Sequence, residues 1–291
     1  MLGFNGGLIG GLANARDTSL LSAVGVWTLN EQRNAKLAGL WPVTATQVNA
    51  TGGDVSITPD GMYKVHTFTS SGPFIVTTGG SVEYLVIGAG GGSGGEYSGG
   101  GGAGGYRCSV PGESSGGGAS AESELIVIET TYSITVGQGN AGANGSDSVF
   151  HTITAVGGGK GGGSNGVAAT GGSGGGGGPQ SVQPSSGSGT PNQGFSGGSG
   201  SSSNGGTAGG GGAGGSGGGP MSTTGGAAGI GLSSNINGTA TTRGVGGKGA
   251  DQNEGGAAGT SNTGNGARGT YSNGSVNYAG GSGIVIIRYP I

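Results

Sequence analysis

The stretch EYLVIGAGGGSGG, residues 83–95, joins an apolar β pattern directly to closely spaced glycines. Gly90, Gly92 and Gly95 match the G-x-G-x-x-G fingerprint of dinucleotide-binding domains, which requires a helix whose N-terminus faces the pyrophosphate. The next residues, EYSGGGGAGGYR at 96–107, contain too much glycine to start or continue a helix. The stretch therefore predicts a core strand followed by glycines that serve close backbone packing, and no nucleotide cofactor is expected.

The composition excludes several classes of protein. Glycine accounts for 83 of the 291 residues, about four times its average usage. Collagen needs a strict Gly-X-Y period and abundant proline, and this chain has only 9 prolines. A flexible linker would not carry the apolar β patterns that separate the glycine tracts. Nucleic-acid binding is not expected, because 8% of the residues are charged and the formal net charge is -3.

The sequence carries no membrane-spanning pattern and little cysteine. No run of 18 apolar residues occurs, and the first residues lack the basic region of a secretory signal. The single cysteine, Cys108, excludes an internal disulfide and a multi-cysteine zinc site. We therefore expect no membrane insertion.

Short β patterns recur along residues 51–291. The patterns are MYKVHTFT (62–69), PFIV (73–76), VEYLVI (82–87), LIVIE (125–129), YSITV (132–136), VFHTITAV (149–156) and IVIIRY (284–289). Their β-branched and aromatic residues favour strands. The sequence predicts a mainly β domain with a small sandwich or jelly-roll-like core, closed by the strand at 284–289.

The tract from Gly194 to Gly218 has a period of three. Every third position from 194 to 218 is glycine in eight of nine cases, against six of the other sixteen residues. Three residues form one turn of a polyproline II type helix, which leaves each N–H and C=O free to bond to neighbouring segments. The pattern predicts packed polyglycine helices, with residues 206–218 in one straight segment. It also predicts that a side chain is tolerated at Gly211 better than at the in-phase Gly212.

Residues 1–50 are predicted to form a separate segment with one short helix. In GVWTLNEQRNAKLAGLWP (25–42), Thr28 and Glu31 fit a capping box, and Gly39 with Pro42 supplies a stop. This segment is too small to bury its large apolar residues alone, so they pack on the rest of the chain or on a partner. The candidate anchoring residues are Trp27, Leu29, Leu37, Leu40 and Trp41.

Residues with catalytic or metal-binding potential do not form a recognisable motif. His66 and His151 lie in β patterns and are interpreted as ordinary face residues. Asp147 and Asp251 lie in Gly/Asn-rich loops where calcium is conceivable, but turn formation is favoured because the acidic spacing is wrong. Cys108 has no histidine nearby in sequence and is interpreted as an unreactive thiol. No enzyme activity and no metal or cofactor is predicted.

The loops between the glycine tracts are the remaining candidates for function. They mix small polar residues with isolated large ones, as binding loops do, although plain surface loops have the same composition. The loops are residues 179–195, 220–224, 251–254 and 270–278, and their candidate receptor-contacting residues are Phe195, Met221, Tyr271 and Tyr278.

Four motifs together resemble the glycine-rich virion proteins of tailed bacteriophages, especially marine ones. They are GVWTLNEQRNAKLAGLWP (25–42), DGMYKVHTFTSSGPFIV (60–76), VEYLVIGAGGGSGG (82–95) and GGSGIVIIRYPI (280–291). The resemblance implies a virion location and an architecture like that of tail-fibre adhesins, whose tips are bundles of polyglycine helices with variable receptor-contacting loops. It leaves two functions open, a short tail fibre or fibre-tip adhesin and a capsid decoration or head-fibre protein.

The predicted partners follow from the same interpretation. Residues 1–50 are expected to attach to other virion proteins or to sister subunits in a trimer. The loops around residues 179–195, 220–224 and 270–278 are expected to gather at the exposed end and to contact a bacterial surface protein or glycan.

Overall fold

The computed structural model describes residues 8–9, 26–27, 47–164, 167–179, 185–201, 205–252, 254–271 and 276–291. Within these ranges the chain forms strands and one 3₁₀ turn at Gly116–Gly118, with no α-helix. The prediction of a mainly β fold is confirmed. The predicted helix at 29–37 lies outside the described residues, as do Leu29, Leu37, Leu40 and Trp41, whereas Trp27 belongs to a two-residue strand.

The strands are short, and those at 63–68, 72–78, 80–87, 125–127, 130–135, 148–150, 153–155 and 284–290 overlap the predicted β patterns, whereas the others were not predicted. They are β1 (Leu8–Ile9), β2 (Val26–Trp27), β3 (Asn49–Thr51), β4 (Asp54–Ile57), β5 (Tyr63–Phe68), β6 (Gly72–Thr78), β7 (Gly80–Ile87), β8 (Tyr106–Cys108), β9 (Leu125–Val127), β10 (Thr130–Thr135), β11 (Ser148–Phe150), β12 (Ile153–Ala155), β13 (Leu232–Ser234), β14 (Thr241–Arg243) and β15 (Ile284–Pro290).

Two antiparallel sheets share one core. The first has the order β12-β11-β10-β6-β3, and the second has the order β4-β5-β15-β7-β8 with β9 paired to the start of β7. Aromatic rings from both sheets meet edge to face, with ring centroids 5.9 Å apart for Phe74 and Phe150 and 6.4 Å apart for Tyr84 and Phe150. These rings and the aliphatic residues around them form the larger hydrophobic cluster of the domain.

The middle of the second sheet is buried on both faces. Residues of β7 and β15 alternate between the shared core and a second cluster, in which Leu85 and Ile286 pack with Ala213 and Ile236 from later loops. Burial on both faces explains why VEYLVI and IVIIRY are almost continuously apolar rather than alternating.

The glycines after β7 continue the register of the sheet. Within the sheet, β7 lies between β15 and β8, with Ile87 opposite Ile284 and Tyr106. Beyond the sheet, residues 88–93 lie between the segment that precedes β8, residues 102–105, and the segment that precedes β15, residues 278–281. The register is the same as in the sheet. The donors and acceptors are Gly88 to Gly105, Gly91 to Gly102, Gly90 to Gly281 and Ser93 to Tyr278, with N···O distances of 2.9–3.0 Å.

Each glycine segment bonds to several neighbours with a period of three. Residues 98–105 donate N–H groups in rotation to segments 264–270, 156–162 and 208–211. The same residues accept bonds from segments 88–91, 173–176 and 247. We call this array of laterally bonded segments the glycine lattice. It satisfies backbone groups that would otherwise lie unpaired in a buried region.

Two details of the predicted tract are wrong. Residues 206–218 are not one straight segment, because Gly212 donates to Gly215 and Gly209 to Gly218, so the chain reverses near 213–215. Gly211 is not the permissive position either. A Cβ on Gly211 or on Gly212 would lie closer than 3.0 Å to a neighbouring carbonyl oxygen. Since each of three successive residues faces a different neighbour, the interior of the lattice has no free face.

The continued register gives the molecule two ends. β7 begins and β15 ends at the side away from the lattice, near Gly80 and Pro290, and we call this side the base. The lattice extends from the other end of these strands toward the level where Ser93 meets Tyr278. Gln47, the first residue of the continuous description, is at the base and its Nε2 donates to the Pro290 carbonyl at 3.5 Å.

Candidate recognition surface

Four loops converge at the far end of the lattice. We call this surface the tip and define it as residues 95–98, 221–224, 250–252 with 254, and 270–271. Backbone hydrogen bonds join the loops in series, from Gln252 to Thr223 (2.8 Å), from Tyr271 to Glu254 (3.2 Å) and from Thr270 to Ser98 (3.1 Å). The lattice thus fixes the relative positions of loops that are up to 174 residues apart in the chain, from Tyr97 to Tyr271.

An aromatic pair forms part of the tip. The rings of Tyr97 and Tyr271 pack edge to face with centroids 5.0 Å apart. Tyr97 has a φ of 47°, an uncommon backbone conformation for a bulky residue. Such strained positions are often found at functional sites. Tyr97 is not predictable from the sequence pattern, because its left-handed backbone and its contact with Tyr271 depend on the three-dimensional packing.

A group of charged side chains lies beside the aromatic pair. Lys248 Nζ contacts Asp251 Oδ2 at 2.7 Å and Glu254 Oε2 at 3.8 Å, and Arg268 pairs with Glu254. The hydrogen bond from Lys248, with a second from the Gly225 amide, holds the pKa of the Asp251 carboxyl below its ordinary value. In a chain with few charges, this cluster gives the tip a distinct polar character.

The structure separates the four predicted receptor-contacting residues. Met221 is 79% exposed at the tip, and Tyr271 belongs to the aromatic pair. Tyr278 is partly buried just below the tip, where its ring lies against Gly256. Phe195 lies at the junction of lattice and sheets, with its ring beside Gly118. The expectation that all these residues gather at one end is wrong for Phe195, and residues 180–184 of its loop lie outside the described part.

The flank of the β body carries a polar cleft of about 480 Å³. Arg107 donates to Glu122 through Nε (2.8 Å) and Nη2 (2.6 Å), and the Tyr84 hydroxyl donates to the same carboxylate at 2.8 Å. These side chains satisfy one another, so the cleft wall is already held in place. A second cleft, of about 510 Å³, lies at the base and is lined by Tyr63, Glu83 and Arg288 among others.

The histidines and the cysteine, which were considered above for metal binding or catalysis, have structural surroundings that explain them. His66 is fully buried; its Nδ1 lies 2.8 Å from the Gly52 carbonyl and its Nε2 2.9 Å from the Tyr289 hydroxyl. His151 is not on a strand as predicted but in the exposed turn after β11, at a φ of 52°. Burial raises the pKa of the Cys108 thiol to about 12, and its Sγ lies 3.3 Å from Glu113 Oε2.

Asp147 and Asp251 were considered above as calcium ligands. In the structure each of them accepts a hydrogen bond from the amide of a glycine segment. Asp147 Oδ1 accepts from the Gly157 amide at 2.8 Å, and Asp251 Oδ1 accepts from the Gly225 amide at 2.6 Å. Among the described residues, no three His, Cys, Asp or Glu side chains come together in an arrangement that could hold a metal ion.

The glycines of the dinucleotide-like motif are part of the lattice. The amides of Gly90 and Gly92 donate to the carbonyls of Gly281 and Ala143, both at 2.9 Å. A pyrophosphate would need such amides as donors, and here they are already bonded to backbone.

The fold and its hydrogen bonding define a glycine-rich β protein, and comparison with known sequences agrees. The family model of the glycine-rich domain matches residues 69–290, so the chain belongs to the glycine-rich domain family. No curated protein matches the chain. In the described part of the chain, no helix has the length and apolar character needed to cross a bilayer.

Proposed function

We propose that this protein is a non-enzymatic structural protein of a tailed-phage virion and acts as a short tail fibre or fibre-tip adhesin. In this proposal the tip contacts a protein or glycan on the bacterial surface. Residues 1–50 attach to other virion proteins or to sister subunits, as expected from their sequence.

The convergence of four loops at the tip is the observation that carries the proposal. The tip is at the end opposite to the base, where residues 1–46 join the domain at Gln47. An attached base and a free tip are the arrangement that an adhesin requires. The resemblance of four sequence motifs to phage virion proteins supports the same interpretation.

Rigidity is what makes the lattice useful for recognition. The backbones that lead into the tip are bonded to neighbours on several sides, so the loops have little conformational freedom to lose on binding. Exposed Met221 and the partly buried Tyr97 and Tyr271 supply apolar and aromatic contact area. Aromatic residues held in fixed positions commonly dominate binding energy.

The proposal is tested with the fluorescently labelled full-length protein and the host strain of the phage. We expect saturable binding to cells and competition with phage adsorption. The double variant Met221→Ala/Tyr271→Ala should bind about 30-fold more weakly, as for the loss of one hot spot of about 2 kcal/mol. Ile230→Ala is the matched control, because Ile230 is 67% exposed and lies near the other end of the lattice.

Labelling of virions with antibodies locates the protein independently. Label at the tail tip with loss of binding in the double variant supports the adhesin. Label on the head, together with no binding to host cells, would contradict it and leave capsid decoration as the function.

A further inference from the structure

The base of the domain exposes an unusual number of aliphatic side chains. Six of the eleven large hydrophobic residues that are highly exposed in the described part belong to β4, to β9, or to the residues beside β5, β9 and β15. They are Val55, Ile57, Met62, Ile126, Ile128 and Ile291, with exposed fractions of 50–67%. We call these residues the basal rim. They belong to two separate parts of the second sheet, since β4 pairs with β5 and β9 pairs with β7, where Ile126 lies opposite the cleft residue Ser81. Exposed apolar surface of this kind marks interaction sites when a partner covers it.

The edge strand β4 is protected by charge at one end only. Its residues DVSI (54–57) carry Asp54 at the end away from the base, whereas both aliphatic side chains of the strand are more than half exposed. Natural sheets commonly protect such edges with charge, proline or a covering segment. A covering segment is therefore expected here.

The basal cleft of about 510 Å³ adjoins the rim. Its lining includes Tyr63 and Pro290, the chain neighbours of rim residues Met62 and Ile291. Arg288 forms one wall, with its guanidinium carbon 4.3 Å from the centre of the Tyr63 ring and its Nε 2.6 Å from Glu83. These contacts hold the wall of the cleft in position.

The chain itself supplies a segment that fits this surface. Gln47 and Val48 line the cleft, so residues 28–46 join the domain at the cleft. This segment carries four large apolar residues, Leu29, Leu37, Leu40 and Trp41. Trp41 precedes Gln47 by six residues, which span at most about 20 Å. A short tether of this kind gives a high effective concentration at the cleft.

Charge also favours this occupant. Residues 28–46 contain Arg33 and Lys36 against one acidic residue, Glu31. The cleft is lined by Glu83 and Glu124 against one basic residue, Arg288. A segment with a net positive charge is therefore placed beside a cleft with a net negative charge.

We propose that the basal cleft and rim are the docking surface for residues 28–46 of the same chain, with Leu40 and Trp41 as the anchors. Docking fixes the N-terminal segment to the base, so that any partner of that segment is held at a defined angle to the domain. The proposal does not depend on the adhesin function.

The two tryptophans of the chain allow a direct test. Both Trp27 and Trp41 lie in the N-terminal segment, so Trp27→Phe leaves Trp41 as the sole indole. In this full-length variant we expect blue-shifted emission and quenching by acrylamide that is several-fold weaker than for free indole. Adding Ile57→Glu and Ile126→Glu should shift the emission to the red and restore quenching. Ile230→Glu, away from the base, is the matched control and should change neither.

Three results would overturn the proposal. The first is Trp41 emission and quenching equal to those of free indole. The second is a shielded Trp41 that does not respond to the rim substitutions. The third is shielding that disappears on dilution together with a fall in sedimentation coefficient, which would assign the surface to a second copy. Unchanged melting temperatures of the rim variants confirm that the domain stays folded.

Discussion

Gly101 packs directly against Gly91 in the centre of the glycine lattice. A Cβ on Gly101 would lie closer than 3.0 Å to the carbonyl oxygen of Gly91, a separation that real Cβ atoms essentially never show. The Gly101 amide donates to the Ala267 carbonyl and its own carbonyl accepts from Gly247, both at 2.8 Å. Glycine is therefore required here for close approach, although its φ is not in the left-handed region.

The first prediction is that Gly101→Ala destabilises the domain by about 3 kcal/mol, the upper end for overpacking, because the bonded backbone cannot move aside. Gly255→Ala is the matched control. Its Cβ would meet nothing within 4 Å, and its φ is not positive. The control should be neutral or stabilising by up to about 1 kcal/mol. Urea unfolding of both variants measures the difference, and equal midpoints would contradict the packed lattice.

The second prediction is that the destabilisation caused by an added side chain depends on how closely the glycine is surrounded by backbone, and not on its place in the period of three. Gly211→Ala and Gly212→Ala should both destabilise by about 1–3 kcal/mol, because both positions face neighbouring backbone closely. Gly219→Ala should cost less, since its Cβ would lie 3.3 Å from the Ser199 carbonyl oxygen and could be accommodated by a small shift. Thermal unfolding ranks the three. If Gly211→Ala were neutral and Gly212→Ala destabilising, the result would contradict this prediction. It would support the interpretation in which only every third residue faces the interior.

The sequence predicts the strands better than it predicts the lattice. Strands such as β7 and β15 are recognisable because β-branched and aromatic residues are concentrated in them. The period of three reflects the rotation of donors among neighbours, but the reversal near 213–215 leaves no signal, since glycine suits both straight and turning backbone. The tip was only partly predicted. Met221 and Tyr271 stand out among small residues, whereas Tyr97 depends on contacts that are distant in sequence.

The third prediction is a loss of stability in acid that arises from His66. Burial lowers the pKa of His66 below its ordinary value of 6.5. The unfolded chain therefore binds a proton more readily than the folded protein, and the free energy of unfolding falls as the pH decreases below about 6.5. Nδ1 donates to the Gly52 carbonyl, so Nε2 accepts from the Tyr289 hydroxyl and protonation would break that bond.

His66→Gln removes this titration and should flatten the dependence of stability on pH between about 7.5 and 5. The variant should also be less stable at neutral pH, because the contacts with Gly52 and Tyr289 are altered. His151→Gln is the control for the substitution itself, since the His151 side chain is exposed and lies outside the contacts of His66 with Gly52 and Tyr289. An unchanged slope in His66→Gln would assign the acid sensitivity to other groups.

The last prediction separates a structural role of Asp147 from calcium binding. Asp147 Oδ1 accepts from the Gly157 amide at 2.8 Å. Asn144, three residues before Asp147, accepts through Oδ1 from the amide of Lys160, three residues after Gly157, at 2.9 Å. The two side chains thus replace a neighbouring segment at the edge of the lattice and follow its period of three. Asp147→Asn keeps an acceptor oxygen and should cost little. Asp147→Ala leaves the Gly157 amide without this partner and should destabilise by about 1–3 kcal/mol. Neither calcium nor a chelator should change the melting temperature of the unmodified protein, whereas a calcium-dependent rise that both variants abolish would show that the carboxylate binds the ion.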